Sequence, residues 1–166
     1  GRLDDARSAL AALGPEGFGA VVKDMNFYAG AGEFAVAVGI LGDGERAAQA
    51  YDIVRPCAGR VFVIARAAVC WGPADSFLGR LAATAGFLDE AEKHFEAALA
   101  ACERIGARAM AARTRWWYAT MLRARDASGD AARAADLAAA AEAEAEAMGL
   151  TLEPVRASRN PSVGSD

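Results

Sequence analysis

Histidine and cysteine are scarce in this sequence, which has one histidine and three cysteines among 166 residues. Cys57, Cys70 and Cys102 are odd in number, widely spaced and without a Cys-x-x-Cys pair. A zinc site or a disulfide framework needs paired or clustered ligands, so neither is expected. We predict that the three thiols are small apolar residues of the core in a reducing compartment.

Long apolar runs and an excess of positive charge are also missing. The longest apolar stretch, Val61 to Trp71, is interrupted by Arg66, so no membrane span is expected. The net charge is -4 and the pI is near 5.1, which argues against a nucleic-acid-binding domain. No charged start precedes an apolar signal core, and we therefore expect a cytoplasmic protein.

A glycine followed five residues later by an alanine recurs four times. Apolar residues follow that alanine at four and seven positions, and the alanines lie 41, 44 and 43 residues apart. Self-similarity at this period predicts a stacked helical repeat, and such repeats usually bind partners. The four matches are Gly1/Ala6/Leu10/Leu13, Gly42/Ala47/Tyr51/Val54, Gly86/Ala91/Phe95/Ala98 and Gly129/Ala134/Ala138/Ala141.

The pattern places each alanine stripe on one face of the second helix of a pair, with that face packed inward. The glycine of each match suits the turn that precedes this second helix. Gly106 and Gly149 should end their helices. The predicted first helices cover 28–41, 73–85 and 107–125. We expect one domain over 1–153, with a half repeat at 1–14 and units at about 15–57, 58–106 and 107–149.

Three stretches fall outside this pattern. Residues 15–27 and 58–71 lengthen their units, and the β-branched run Val61–Ile64 would have no sheet to join as an isolated strand. We therefore expect a short helix or a packed loop at Val61–Ile64, with Trp71 in a structural contact that holds this segment in place. Residues 154–166 are predicted to be an irregular or disordered tail. Because Gly1 opens the second helix of a unit, we expect the chain to be part of a longer protein.

No catalytic or cofactor site is predicted. Gly30-Ala-Gly32-Glu-Phe-Ala35 matches a dinucleotide fingerprint superficially, yet it falls within a predicted first helix, where small residues favour close packing. His94 is expected to pair with Glu90 at the surface, one turn away. Ser76 is not in a nucleophile elbow, and the acidic residues lack paired spacing. The sequence predicts a protein that is not an enzyme and that needs no metal or cofactor.

The segment from Gly86 to Leu99, GFLDEAEKHFEAAL, resembles the second helix of a tetratricopeptide (TPR) repeat, with Leu78, Gly79 and Ala82 at matching positions of the first helix. Residues 71–150 are similar to the C-terminal repeat region of large bacterial signalling ATPases, including those joined to cyclase-type or LuxR-type output domains. The similarity extends upstream through 26–59. It implies an all-α, right-handed superhelical stack of antiparallel helix pairs serving as a sensor or scaffold. The chain has no phosphate loop, cyclase domain or helix-turn-helix, so those activities do not carry over.

The repeat register also suggests a binding groove. It would turn Trp117 or Tyr118 inward, while arginines and an aromatic plane face the concave side, which suits carboxylates or planar ligands. We expect a protein or peptide partner, including an acidic one, and neither nucleic acid nor membrane. A small-molecule effector site, favoured by a closed pocket around Trp116, and a homodimer remain alternatives. The predicted groove residues are Arg80, Arg113, Trp116, Thr120 and Arg123.

Overall fold

The computed structural model describes residues 2–13, 16–20, 27–64 and 69–152, and most of them are helical. Short 3₁₀ helices cover Gly17–Ala20 and Arg55–Cys57, and strands β1 and β2 cover Val61–Ile64 and Val69–Pro73. The predicted tail, 154–166, and Gly1 lie outside the described residues. The α-helices are α1 Arg2–Ala12, α2 Phe27–Leu41, α3 Gly44–Val54, α4 Ala74–Ala85, α5 Leu88–Ile105, α6 Arg108–Arg125 and α7 Asp130–Met148.

The predicted helix pairs are present as α2/α3, α4/α5 and α6/α7. The first helices begin and end within one residue of the predicted bounds. Gly86 ends α4 with a φ of 86°, and the Phe87 N–H closes the turn by donating to the Ala82 carbonyl at 2.8 Å. A left-handed residue at this position costs little only for glycine. Gly106 and Gly149 end α5 and α7 in the same conformation, as predicted.

Each of the helices α2 to α6 packs against the next helix in the chain, and first helices also pack on one another, α2 on α4 and α4 on α6. The predicted inward stripes of α3, α5 and α7 are buried, with Tyr51, Phe95 and Ala134 all in the core. In the N-terminal half repeat, Leu10 of α1 belongs to the same core. The core is therefore continuous from α1 to α7.

Small residues in the first helices permit close approach between elements. A Cβ at Gly79 would lie 2.6 Å from the ring of Phe95, and one at Gly32 would meet Trp71 and Phe77. Gly32 belongs to the dinucleotide-like sequence, which lies inside α2. For Gly32, the prediction that small residues of this sequence pack closely against a neighbouring helix is confirmed, since Phe77 belongs to α4.

The prediction for 58–71 is wrong, because Val61–Ile64 is a strand of an antiparallel hairpin with Val69–Pro73. Val69–Pro73, which we had not predicted as a strand, is the partner. The hairpin also has a core to pack on: Phe62 is 1% exposed and stacks on Phe77 of α4, with ring centroids 5.8 Å apart. Tyr28 of α2 stacks on Phe62 as well, at 4.9 Å.

A carboxylate ties the last helices together. Glu92 of α5 accepts hydrogen bonds from the Tyr118 hydroxyl at 2.8 Å and from the guanidinium groups of Arg125 and Arg133. Arg125 also forms a two-bond ion pair with Asp130, the first residue of α7. This network links α5, α6 and α7 through the half-buried carboxylate of Glu92 and the buried carboxylate of Asp130.

Candidate functional site

Four of the five predicted groove residues lie on one face of α6. Arg113, Trp116, Thr120 and Arg123 are spaced by three or four residues, which aligns them along the helix. Trp116 and Thr120 are half-buried, and the Thr120 hydroxyl donates to the Trp116 carbonyl at 2.9 Å. Arg113 is also half-buried, whereas Arg123 is exposed. The face is thus cationic at both ends, with a partly packed centre.

The fifth residue, Arg80, is buried, so the prediction that it faces a partner is wrong. Its side chain is only 5% exposed, and its guanidinium lies 4.8 Å above the Trp117 ring. Gly39 of α2 leaves the space that this guanidinium fills. Trp117 and Tyr118 are both buried, so the inward turn predicted for one of them holds for each. Arg80 is therefore a cation stacked within the core.

A cleft of about 520 Å³ lies where the hairpin, the end of α5 and the start of α6 meet. Met110 packs on Gly72 of β2, since a Cβ at Gly72 would lie 2.7 Å from the Met110 Cγ, and this contact fixes the hairpin against α6. Arg113 is the one predicted groove residue in the lining. The lining consists of Cys70, Trp71, Gly72, Ile105, Gly106, Ala107, Arg108, Ala109, Met110, Arg113, Leu150, Thr151 and Leu152.

The cleft combines apolar surface with positive charge. Ile105 is 45% exposed and Leu150 is 43% exposed at its edges. Among the described residues, its charged lining residues are Arg108 and Arg113, and none of its lining residues is a carboxylate. Sequence reasoning missed Trp71 and Met110 as site residues, because only the hairpin brings β2 to the start of α6. The available signal was Arg108, two residues after Gly106, followed by Arg113 on the same helix.

His94 takes part in a network that the sequence did not predict. Its Nδ1 donates to the Asp75 carboxylate at 2.8 Å, and its Nε2 is hydrogen-bonded to the Tyr51 hydroxyl at 3.1 Å. The expected surface pair with Glu90 is wrong, since the His94 side chain is only 13% exposed and Glu90 binds Lys93 instead. Tyr51 and Asp75 lie on two other helices, far from His94 in the sequence. The spacing of residues within one helix therefore does not predict these contacts.

The electrostatics of this network favour an ionised Asp75. Burial opposes its charge, but hydrogen bonds from His94 and from the Gly59 N–H at 2.7 Å hold the pKa of Asp75 below its usual range. The carboxylate, imidazole and phenol join α4, α5 and α3, respectively. Tyr51 is 5% exposed, and none of the three residues lines the 520 Å³ cleft. The arrangement is suited to holding three helices in register.

The cysteines divide between core and surface. Cys57 and Cys102 are buried as predicted, whereas Cys70 is exposed at the cleft, which corrects the expectation for that residue. Burial raises the pKa of the Cys102 thiol to about 11, so the thiol is protonated at neutral pH. The described residues contain no group of three or more side chains able to hold a metal ion.

None of the described helices combines the length and apolarity needed to cross a membrane. Comparisons of the chain with protein-family models, with curated proteins and with solved structures found no match.

Proposed function

We propose that this chain is a noncatalytic TPR-like interaction module that binds a segment of a protein partner. Its three helix pairs would stack as a right-handed superhelix, as the resemblance to TPR sequences implies. The packing of first helix on first helix, from α2 to α4 to α6, supports this arrangement. In this proposal the module serves a larger bacterial signalling protein or transcriptional regulator in the cytoplasm.

The observation that carries the proposal is the cleft between the hairpin and α6. It is open to solvent, and Ile105 and Leu150 expose apolar surface at its edges. Exposed apolar surface bordered by polar groups is typical of sites that bind other molecules. The face of α6 beyond Arg113, ending at exposed Arg123, extends this surface along the helix.

A small-molecule effector site is the second candidate, and the hairpin favours it. Cys70, Trp71 and Gly72 form one wall of the cleft, and about 520 Å³ lies within the range of roughly 300–1,000 Å³ for ligand pockets. However, the lining does not include Trp116. An open cleft at the end of a helix better suits an extended chain that continues past its edges.

Selection from a random peptide display library tests the interaction function. The full chain is immobilised, and enriched peptides are compared with those on Ile105→Asp/Leu150→Asp, which places charges on the exposed apolar edges. A matched control, Val61→Asp/Val63→Asp, changes exposed hairpin residues outside the cleft lining. Thermal melts establish that each variant is folded.

We expect peptides that are enriched on the wild type and on the control but lost on Ile105→Asp/Leu150→Asp. The function is overturned if no enriched peptide depends on the cleft. Displacement of the peptides by a small metabolite bound at the cleft would instead favour the effector site.

A further inference from the structure

The charge of the cleft is opposite to that of the chain. The protein carries a net charge of -4, yet the part of the cleft lining that the structure describes holds two arginines and no acid. We propose that the cleft binds an extended, acidic segment of a partner protein, and that this segment also carries a bulky apolar side chain. This inference rests on the proposed function. The carboxylates of this segment would bind Arg108 and Arg113, and its apolar side chain would lie against Trp71 and Met110.

The two arginines have no ion-pair partner in the described part of the chain. Neither Arg108 nor Arg113 forms an ion pair with any described residue, whereas Arg115, on the same helix, binds Glu144. The Arg113 guanidinium lies 6.0 Å from the Trp117 ring, which orients it without neutralising it. A guanidinium held on an aromatic ring and without an acidic neighbour is well placed to bind a carboxylate through two hydrogen bonds.

The start of α6 contributes charge of the same sign. Ala107 precedes the helix without a side-chain cap, and the first turn holds Arg108 and no acid. Helix N-termini usually carry acids, because the backbone dipole is positive there. Because Arg108 stands where an acid is usual, the positive end of the α6 dipole is not neutralised. This dipole adds to the positive charge of the two arginines in the cleft.

The apolar part of the cleft determines what else the partner must carry. Trp71 and Met110 both line the cleft, and the exposed side chains of Ile105 and Leu150 lie at its edges. Binding carboxylates alone would leave this surface in water. A partner segment with an aromatic or large aliphatic side chain among its acids would bury this surface, and the removal of apolar area from water would favour binding.

The test begins with the peptides enriched on the wild type and lost on Ile105→Asp/Leu150→Asp. We expect them to contain Asp or Glu next to Leu, Ile, Met, Phe or Trp. The most enriched sequence is then synthesised with a fluorescent label, together with a version in which Asn and Gln replace Asp and Glu. Binding of both to the full chain is measured by fluorescence anisotropy at low and high salt.

We expect the amide version to bind about tenfold more weakly, and the acidic version to lose about tenfold on Arg108→Gln/Arg113→Gln. The control Arg55→Gln/Arg60→Gln removes the same charge from exposed residues outside the cleft and should bind as the wild type does. Binding of the acidic peptide should weaken as salt rises, whereas binding of the amide version should change little.

The outcomes separate the two proposals. If cleft-dependent peptides show no preference for acids, or if Arg108→Gln/Arg113→Gln binds as tightly as the control, the inference is overturned while the interaction function stands. If no peptide depends on the cleft, both fail. Enrichment of basic peptides, or of peptides that bind only when phosphorylated, also contradicts the inference.

Discussion

The position of Gly79 is defined by the ring that covers it. Gly79 lies in α4, and the Phe95 ring occupies the space in which a Cβ would stand. Phe95 is fully buried, so its ring has no free volume into which to move. The contact between α4 and α5 at this point is thus a ring packed on bare backbone.

Gly79→Ala should therefore destabilise the protein. Overpacking a full core costs about 1–3 kcal/mol, and the better helix propensity of alanine offsets at most about 1 kcal/mol. We expect a net loss of about 1–2 kcal/mol in the free energy of unfolding, measured by urea denaturation. Gly79→Ala/Phe95→Leu is the control, and its loss should be smaller than the sum of the single losses. An alanine variant as stable as the wild type would contradict the contact.

Asp75 should make stability depend on acid pH. Asp75→Asn removes the charge that His94 and the Gly59 N–H stabilise, and we expect a loss of about 1–3 kcal/mol at neutral pH. Since the pKa of Asp75 is lowered by folding, its contribution is present above the unfolded pKa of about 3.9 and disappears as the pH falls through the folded pKa.

The measurement is urea denaturation of wild type and Asp75→Asn from neutral to acid pH. The difference in the free energy of unfolding between the wild type and Asp75→Asn should decrease below about pH 4. Asp136→Asn, at an exposed position of α7, is the matched control and should track the wild type. A difference that is constant with pH would mean that the Asp75 charge does not stabilise the folded state.

The hairpin is the element that adds a wall to the packed helices. Phe62 of β1 lies between Tyr28 of α2 and Phe77 of α4, so the hairpin is attached to two first helices. Its second strand then reaches Met110 at the start of α6 through Gly72. The cleft depends on this attachment.

Phe62→Ala should weaken the attachment of the hairpin to the helices. Removing a fully buried phenylalanine costs about 3–5 kcal/mol, so the midpoint of urea denaturation should fall well below that of the wild type. Val63→Ala, at an exposed neighbour on the same strand, should cost less than about 0.5 kcal/mol. Equal midpoints for the two variants would indicate that the hairpin does not share the core.

The helices could be predicted from the sequence because their signals are local. Glycine turns and alanine stripes at a period of 3.6 specify α2 to α7, and no distant partner is needed to interpret them. The hairpin could not be predicted in this way, because β1 needs both β2 and the Phe77 ring, and a four-residue strand has no stability alone.

The candidate site shows the same division between local and distant contacts. The spacing of Arg113, Trp116, Thr120 and Arg123 predicts a common face of α6. Spacing does not show that Arg80 lies under Gly39 or that Gly72 lies against Met110, because these contacts join residues far apart in the chain. The cleft is formed by such contacts and is found only in the folded protein.

The whole molecule is organised around α4. Nine consecutive residues at the start of this helix, from Ala74 to Ala82, are buried. Helix α4 packs against α2, α3, α5 and α6, whereas α1 packs against α2. In a stack of this kind, local stability follows the number of neighbouring elements.

Hydrogen exchange should follow this order. We expect the backbone amides of α4 to exchange most slowly and those of α1 to exchange fastest among the helices, measured by mass spectrometry of the full chain. The helix α7, held to α5 and α6 through Arg125, Arg133 and Glu92, should be intermediate. Equal exchange rates in α1 and α4 would contradict a central role for α4.

The stack of Gly39, Arg80 and Trp117 has a consequence for sequence divergence. Three helices each contribute one layer, and the guanidinium fills the space between a bare backbone and an indole. Positions 39 and 80 therefore cannot vary independently. A larger residue at 39 requires a shorter one at 80, which predicts that the two positions covary among homologous sequences.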